Sequence, residues 1–275
     1  MFGHHNLKKD NKINHVGKFH YFNQMKQYFF VISELVSREI KRKYARSYLG
    51  IIWSVLNPLL SMAVMSMIFS TIFKRNIENF PIYYLTGSIF WSLFTGCTNS
   101  AMTALVDNKN MLIKVKLPMA IFPMARCFTA LTNFGYSLVA YIIMLIVFRV
   151  TPSWTMLLLP LYAILLFLFS LGIGNILSIL YVFFGDIKHL YSVLLTIWMY
   201  CSAIFYPVTS TTGIMQKIIL SNPVYAFIAA SRKCVLEGAL PTNLEWIQML
   251  VWGLGVYLVG RIYFSKMQNR VVQHI

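Results

Sequence analysis

The segment "SREIKRKYARSYLGIIWSVLNPLL", residues 37–60, changes from strongly basic to apolar at Gly50. Its basic half holds five cations and a single acid, which are Arg38, Lys41, Arg42, Lys43 and Arg46 with Glu39. At helical spacing, the apolar side chains from Phe29 to Tyr44 share one face, and the arginines lie on another. This pattern is typical of a helix in the headgroup layer of a membrane. We therefore predict a polar basic tail, residues 1–28, and an amphipathic interface helix, residues 29–48.

The composition of the whole chain supports a membrane location. Of its 275 residues, 58% are hydrophobic and only 12% are charged, with a mean hydropathy of +0.63. Soluble domains carry about a quarter charged residues. The formal net charge of +16 would also suit a nucleic-acid-binding protein, but the basic residues flank apolar runs, so we expect no nucleic-acid partner. The four cysteines lie far apart and show no spacing typical of a disulfide framework or a metal site.

Six segments are long and apolar enough to cross a bilayer, which takes about 20 residues for a helix. They are residues 50–73, 83–106, 121–148, 156–182, 190–206 and 246–264. The expected fold is therefore an all-α polytopic membrane protein, with one transmembrane domain over residues 29–275. Two apolar pieces between the fifth and sixth spans, "IMQKIIL" (214–220) and "VYAFIAA" (224–230), are too short to cross. We expect them to form short re-entrant helices on the outer face.

The positive-inside rule orients these spans. With the N-terminus in the cytoplasm, the inner segments hold 17 lysines and arginines and the outer segments hold six. Arg126 completes the 24 and lies at the inner end of the third span, where its long side chain can reach the interface. We therefore predict a multi-pass membrane protein with both termini on the cytoplasmic side. The first 30 residues show no apolar core of a signal peptide, so we expect none.

The sequence offers little for catalysis. It has eight acidic residues, and none lies deep within a predicted span. Asp186 and His189 in "GDIKHLY" are three positions apart, but a capping aspartate at a helix start is the commoner role for such a residue. There is no G-x-x-x-x-G-K-[ST] loop, so ATP-driven work needs a partner protein. We expect no metal site, because the histidines show no ligand spacing.

Aromatic residues make up 16% of the chain and concentrate near the ends of the predicted spans. An interfacial aromatic belt explains such a distribution. An alternative is a channel lining, because aromatic faces fit the apolar face of a sugar ring. The candidates for that lining are Trp53, Phe90, Trp91, Phe94, Trp198, Tyr200 and Tyr206. Small residues at Ser170, Gly174 and Ser178, and the glycines from Gly253 to Gly260, predict close helix packing.

Four segments together resemble the membrane subunits of ABC-2 type exporters for bacterial surface polysaccharides, the group with O-antigen, capsule and teichoic acid permeases. They are the opening segment, "YLTGSIFWSLFTGCTNSAMTALVDNKNMLIKVKLPMAIFP" (84–123), "DIKHLYSVLLTIWMYCSAIFYP" (186–207) and "NPVYAFIAASRKCVLEG" (222–238). They occur in the order typical of the family. The first is similar to its interface helix and first span, and the second to its second span and cytoplasmic coupling loop.

The resemblance implies a homodimer that works with two separate ATP-binding subunits, which would hold the ATP and magnesium, so that this chain binds no cofactor itself. It implies contacts to those subunits from Asp107, Asn110, Lys114, Lys116, Pro118, Asp186, Lys188 and His189, and from Arg38, Glu39, Lys41, Arg42 and Arg46 on the interface helix. The cargo would be a lipid-linked polysaccharide or a teichoic-acid-like polymer. The cations of the interface helix have a second role open to them, which is binding to anionic lipid or to the pyrophosphate head of the cargo. They are Arg38, Lys41, Arg42, Lys43 and Arg46.

Two other functions remain open on the sequence. An ABC-2 permease for a drug or a small lipid would share this architecture. An integral membrane glycosyltransferase or acyltransferase would need an essential acid or histidine, and the scarcity of acids in the spans argues against it.

Overall fold

The structure is a computed structural model that describes residues 26–71, 79–114 and 117–274. The described residues form helices and connecting turns, with no strand among them. In chain order the helices are α1 (26–44), α2 (Ile52–Thr71), α3 (Phe80–Asp107), α4 (Lys109–Lys114), α5 (Ile121–Val147), α6 (Leu159–Phe183), α7 (Ile187–Tyr200), α8 (Gly213–Ser221), α9 (Pro223–Arg232), α10 (Asn243–Leu250) and α11 (Val256–His274). The predicted all-α class is thus confirmed for the described part of the chain.

Short irregular turns extend several of these helices. A 3₁₀ turn, Trp154–Leu158, leads into α6, and a π turn, Lys233–Glu237, follows α9. A second π turn, Val251–Gly255, joins α10 to α11, so that Asn243–His274 is one continuous helical segment. Thr242 caps this segment with a capping box, because its side chain accepts from the Glu245 N–H while the Glu245 carboxylate accepts from the Thr242 N–H.

Four helical segments of the described residues are long and apolar enough to cross a membrane. They are Ile52–Phe69, Ile121–Val147, Trp154–Phe183 and Asn243–His274. The predicted second and fifth spans form helices that fall outside this group. α3 has 28 residues but carries more polar side chains than the first three of these segments. α7 has only 14 residues, which is about 21 Å of helix, whereas the hydrocarbon layer is about 30 Å thick.

α3 occupies the middle of the bundle. Sixteen of its 28 residues are buried, and it packs chiefly against α5 and α6. α2 is the opposite case, since Leu60, Val64 and Met67 leave much of its apolar surface exposed. α7 likewise exposes Leu190, Val193 and Ile197. Apolar surface is thus left for lipid or for another protein chain on α2 and α7, and also on α5 and α11, where residues such as Ile146 and Val259 are exposed.

Glycine permits the closest helix contact, between α6 and α11. A β-carbon on Gly260 would collide with the Gly172 backbone, and one on Gly172 would collide with the Val256 backbone. Gly174, which belongs to the predicted small-residue stripe, instead faces α3, where a β-carbon would lie 2.7 Å from Ala101 Cβ. Small residues on α6 thus let two neighbouring helices approach it on different faces.

The two ends of the bundle differ in what they assemble. At one end, named here the α4 end, a small apolar core joins α1, the ends of α3 and α6, the start of α5 and the far part of α11 through residues such as Ile32, Leu105, Ile179 and Phe264. The ring of Phe183, the last residue of α6, lies 4.8 Å from that of His274, the last described residue. At the other, the α9 end, α8 and α9 pack beside the start of α3 and the end of α7.

Candidate functional sites at the two ends of the bundle

The α4 end carries the residues predicted for ATPase coupling. Asp107 is the last residue of α3, Asn110 and Lys114 lie on α4, and Pro118 follows it. All four are exposed. Lys116 lies outside the described residues. A cavity of about 460 Å³ opens here, lined by Arg38 and Arg42 of α1 together with Asp107, Asn110 and Lys114. The structure thus brings the predicted coupling segment next to the interface helix.

The second predicted coupling segment lies at the same end. Asp186, Lys188 and His189 are exposed at the turn from α6 into α7. Asp186 occupies the N-cap position of α7, as the sequence suggested, but its side chain makes no capping hydrogen bond. Val182 and Phe183, just before this turn, pack on the same small core as Met111 and Leu112 of α4. Among the described residues, no hydrogen bond or ion pair joins the two segments.

A charge network fixes α1 to the bundle at this end. Arg126 of α5 donates to Glu39 Oε2 at 2.9 Å and to Asp107 Oδ2 at 2.8 Å. Arg42 donates to the same Glu39 oxygen at 3.0 Å. Glu39 and Arg126 are only 10% and 14% exposed, so their pair is shielded from water, whereas Arg42 is 65% exposed. Arg38 Nη2 also lies 3.7 Å from Glu39 Oε1, so one carboxylate on α1 is shared by a shielded arginine and two more exposed ones.

The other cations of α1 point in different directions. Arg38 donates to the Asn108 side chain at 2.9 Å, and Asn108 in turn donates to the Ala104 carbonyl at the end of α3. Lys43 donates to Asn133 Oδ1 of α5 at 3.1 Å. Lys41 is exposed, and Arg46 lies beyond the end of α1 in the turn toward α2. The helix predicted over residues 29–48 is present as α1, which ends four residues earlier than expected, and its place in the headgroup layer stays a prediction.

The predicted channel aromatics separate into two groups. Phe90 and Phe94 are buried in the core of the subunit, where Phe94 packs on Phe169 and on Trp198. Trp198 is half-buried and donates its indole N–H to Asn222 Oδ1 at 2.8 Å. The aromatics that reach the surface of the subunit are Trp53, Trp91, Tyr200 and Tyr206, and the hydroxyl of Tyr206 donates to the carbonyl of Tyr200.

The α9 end holds a buried arginine that the sequence suggested only as an outer cation. Arg232 is 6% exposed and donates to the carbonyls of Tyr83, Ala203 and Ile204 at 3.1, 2.9 and 2.9 Å. Its guanidinium also lies 3.5 Å from the centre of the Tyr83 ring. Burial lowers the pKa of this guanidinium from its ordinary value, with Tyr83 acting in the opposite direction, and an arginine stays charged under such a shift.

Asn222 completes this arrangement. Its amide donates to the Cys201 carbonyl and the Ser202 hydroxyl, while its oxygen accepts from Trp198 and from the Val224 N–H. Asn222 is therefore the N-cap of α9. It also binds the turn that follows α7, in which Ala203 adopts a left-handed φ of 47°. Together, Arg232 and Asn222 bind the carbonyls of Cys201, Ala203 and Ile204 in the turn that follows α7.

Sequence reasoning missed the partners of these residues, although weak signals existed. Arg126 is a basic residue six positions inside a predicted span, and such residues usually have a specific partner. Asn222-Pro223 has the pattern of a helix cap followed by proline at the first helical position. Within the described residues, no group of three or more His, Cys, Asp or Glu side chains is placed to hold a metal ion.

Comparison with known proteins gives this arrangement a family. The family model described as "ABC-2 type transporter" matches residues 31–236, which is well over half of the chain and includes α1, the α4 end and α9. The chain belongs to the ABC-2 type transporter family. The resemblance drawn from the four sequence segments is thereby confirmed. This ABC-2 chain is a transport subunit, and the ATPase of such a system is a separate subunit.

Several curated proteins are similar to this ABC-2 chain along most of their length. An O-antigen export system permease protein RfbA of Myxococcus xanthus is 29% identical over 220 residues, 79% of this chain and 85% of that protein. One of the same name from Klebsiella pneumoniae is 27% identical over 250 residues, 89% of this chain and 95% of that protein. The polysialic acid transport protein KpsM of Escherichia coli is 25% identical over 246 residues, 88% and 95% of the two chains.

Proposed function

We propose that this chain is the permease subunit of an ATP-driven exporter that moves a lipid-linked polysaccharide, or a teichoic-acid-like polymer, across the bacterial cytoplasmic membrane. The observation that carries the proposal is the match to O-antigen and polysialic acid permeases over nearly their whole length. The names of these relatives state the export of O-antigen or the transport of polysialic acid. The α4 end supports the proposal, because it presents an exposed, charged surface suited to a protein partner.

In this proposal the α4 end faces the cytoplasm and the chain crosses the membrane six times. The positive-inside rule favours that orientation, because α1, α4 and the far part of α11 carry most of the described cations. α3 supplies the second crossing, and α7 supplies the fifth together with the turn that continues the apolar run to Tyr206, since the 14 residues of α7 alone are too short. α8 and α9 have nine and ten residues, about 14 Å of helix each, which suits re-entrant helices in the outer half of the bilayer.

The working assembly would hold two copies of this chain and two ATP-binding subunits, which bind the ATP and magnesium. α4 and the turn at Asp186 are the proposed docking points for those subunits, and α1 flanks them. The exposed apolar faces of α2 and α7 are the surfaces on which a second copy fits. Trp53, Trp91, Tyr200 and Tyr206 reach the subunit surface and are the proposed aromatic contacts of a sliding glycan.

Co-purification tests the assembly. The chain is purified from its native membranes in mild detergent, and its partners are identified while ATP hydrolysis is measured. We expect a stoichiometric subunit with a P-loop, and loss of a surface polysaccharide in cells lacking this chain. A lone, stable protein without ATPase activity would overturn the proposal. Unchanged surface glycans together with increased drug sensitivity would point to the ABC-2 permease for small molecules instead.

A charge reversal tests the docking point. Lys114→Glu places a negative charge on the exposed surface of α4, and we expect it to reduce the amount of ATP-binding subunit that co-purifies. Lys217→Glu makes the same charge change on exposed α8 at the other end of the bundle and serves as the control. Equal recovery of the ATP-binding subunit with both variants would mean that Lys114 and α4 are not part of the interface.

A further inference from the structure

A polar groove runs between α3 and α5 at the level where α1 crosses them. It encloses about 450 Å³. Its mouth is formed by Arg42, Lys43 and Glu39 of α1 with Arg126 of α5. Its walls carry small and polar side chains, which are Ser92, Gly96, Ser100, Thr129, Asn133 and Ser137. A groove of this kind differs from the apolar faces that α2 and α7 expose.

The depth of the groove places it inside the membrane layer. Its lining extends from Arg126 to Ser137 on α5 and from Ile89 to Ser100 on α3. Eleven residues of helix span about 16 Å, roughly half of the hydrocarbon thickness. A polar cavity at that depth gives a charged or hydroxylated group a place below the membrane surface that lipid tails do not offer.

The charges at the mouth favour an anion. Three cations and one carboxylate line the groove, an excess of two positive charges. Arg126 is already bound by Glu39 and Asp107 and stays fixed. Arg42 is 65% exposed and Lys43 is exposed, and each makes one hydrogen bond to another side chain of the described residues, so they keep donors for a ligand.

Phosphate is the group that these donors fit. Arginine binds phosphate oxygens in a forked geometry and lysine adds a point charge, and both contacts are strengthened by the negative charge of the ligand. The groove opens at the level of α1, the amphipathic helix expected to lie in the headgroup layer. A ligand that enters from this layer is a lipid, with its phosphate at α1 and any attached polar group along the hydroxyl-bearing walls.

We infer that the groove binds the phosphate or diphosphate headgroup of a membrane lipid, with Arg42 and Lys43 as ligands and Arg126 as a positioning residue. The inference deepens the proposed function, because a lipid-linked glycan carries such a headgroup. Bulk anionic phospholipid presents the same chemistry, and the experiment separates these two sources.

Binding is measured by calorimetry on the purified complex in nanodiscs of phosphatidylcholine, without ATP. The probe is farnesyl diphosphate, with farnesol and inorganic pyrophosphate as comparisons. We expect the diphosphate lipid to bind and farnesol to bind not at all. Inorganic pyrophosphate, which lacks the lipid anchor, is expected to bind more weakly. Equal binding of farnesol would overturn the inference, and so would pyrophosphate binding as tightly as the lipid.

Nanodiscs that also contain phosphatidylglycerol identify the source. Unchanged binding of farnesyl diphosphate means that the groove selects a diphosphate lipid. Displacement of the probe means that bulk phospholipid occupies the groove, which also places a lipid phosphate there. In either case the occupant is a phosphate-bearing lipid.

Two substitutions locate the ligand. Arg42→Gln and Lys43→Gln each remove one charged donor, and we expect each to weaken binding about tenfold. Lys266→Gln makes the same change of charge on exposed α11 at the same end of the bundle, but Lys266 does not line the groove, so the affinity should stay at the wild-type value. Equal affinities in all three variants would place the ligand elsewhere. Because no transport is measured, such a failure leaves the export proposal, tested by the deletion phenotype, unaffected.

Discussion

Arg126 and Arg232 are both arginines with little exposure, near opposite ends of α3, but the groups that bind them differ. Arg126 pairs with two carboxylates, Glu39 and Asp107, from two other helices. Arg232 pairs with three backbone carbonyls and an aromatic ring. An ion pair between side chains is sensitive to salt where it is exposed, whereas a buried backbone carbonyl loses its hydrogen bond outright when its donor is removed. The α4 end is therefore held by ion pairs between side chains, and the α9 end is held by hydrogen bonds to the backbone.

The largest effect is expected from Arg232→Ala. It leaves the Ala203 and Ile204 carbonyls buried without their donor, and we expect the free energy of unfolding to fall by about 3 to 4 kcal/mol. Denaturation by SDS in mild detergent measures this. Lys233→Ala is the control, because that lysine is 25% exposed and pairs with Glu245 at the surface. Loss of such a pair should lower the free energy of unfolding by about 1 kcal/mol or less. Similar losses for both would mean that the α9 end is not fixed by Arg232.

Asn222→Ala comes next. It removes the cap of α9 and the hydrogen bonds to the turn that follows α7, so we expect a loss of about 2 kcal/mol in the same assay. The indole of Trp198 also loses its acceptor, and its fluorescence should shift as its surroundings change. Asn222→Asp keeps the acceptor oxygen but not the two donors, and its stability should lie between Ala and wild type. A stability below that of the alanine variant would contradict this order.

Arg126→Ala is expected to cost less, about 1 kcal/mol, because Arg42 remains beside Glu39. A double-mutant cycle with Glu39→Gln isolates the pair. The coupling energy should be favourable between Arg126 and Glu39 and near zero between Arg232 and Glu39, which lie at opposite ends of the bundle. Additive losses from Arg126 and Glu39 would show that their contact adds no stability.

The smallest effect is expected from Arg42→Ala, which should change stability by less than about 1 kcal/mol because the side chain is largely exposed. Raising the salt concentration should remove even this difference, since exposed ion pairs are screened. The loss caused by Arg232→Ala should not depend on salt. A salt-dependent loss at Arg232 would make the two ends alike in their electrostatics.

Much of the fold follows from local patterns in the sequence. The period of the apolar residues from Phe29 to Tyr44 predicts α1, and long apolar runs predict the four segments that are apolar and long enough to cross a membrane. The fifth predicted span was too long, because apolar content continues to Tyr206 although the helix ends at Tyr200. Hydropathy does not register the backbone turn at Ala203, which Arg232 and Asn222 hold in place.

The site was predictable only in part. The position of "DNKNMLIK" between two spans indicates a polar connecting segment, and Asp107, Asn110 and Lys114 are exposed. Its coupling role follows from the family resemblance alone and stays a prediction. The contact between Glu39 and Arg126 joins residues 87 positions apart, and no local period encodes such a distance. The same limit applies to the aromatic residues. Their place near the end of a predicted span made both Phe94 and Trp91 candidates for the channel lining. Only the packing of α6 and α7 on α3 shows that Phe94 is buried and Trp91 is half-buried.

The glycine crossing of α6 and α11 has a mechanical consequence. Backbone meets backbone there at Gly172 and Gly260, so the two glycines set how closely the helices approach. From Gly260 to His274 the helix extends about 21 Å. A difference of about 10° in the crossing angle would therefore displace the far tip of α11 by about 4 Å. The crossing thus determines where the end of α11 meets the last turn of α6, just before the segment leading to Asp186, and Phe264 and Val271 hold it there in the core of the α4 end.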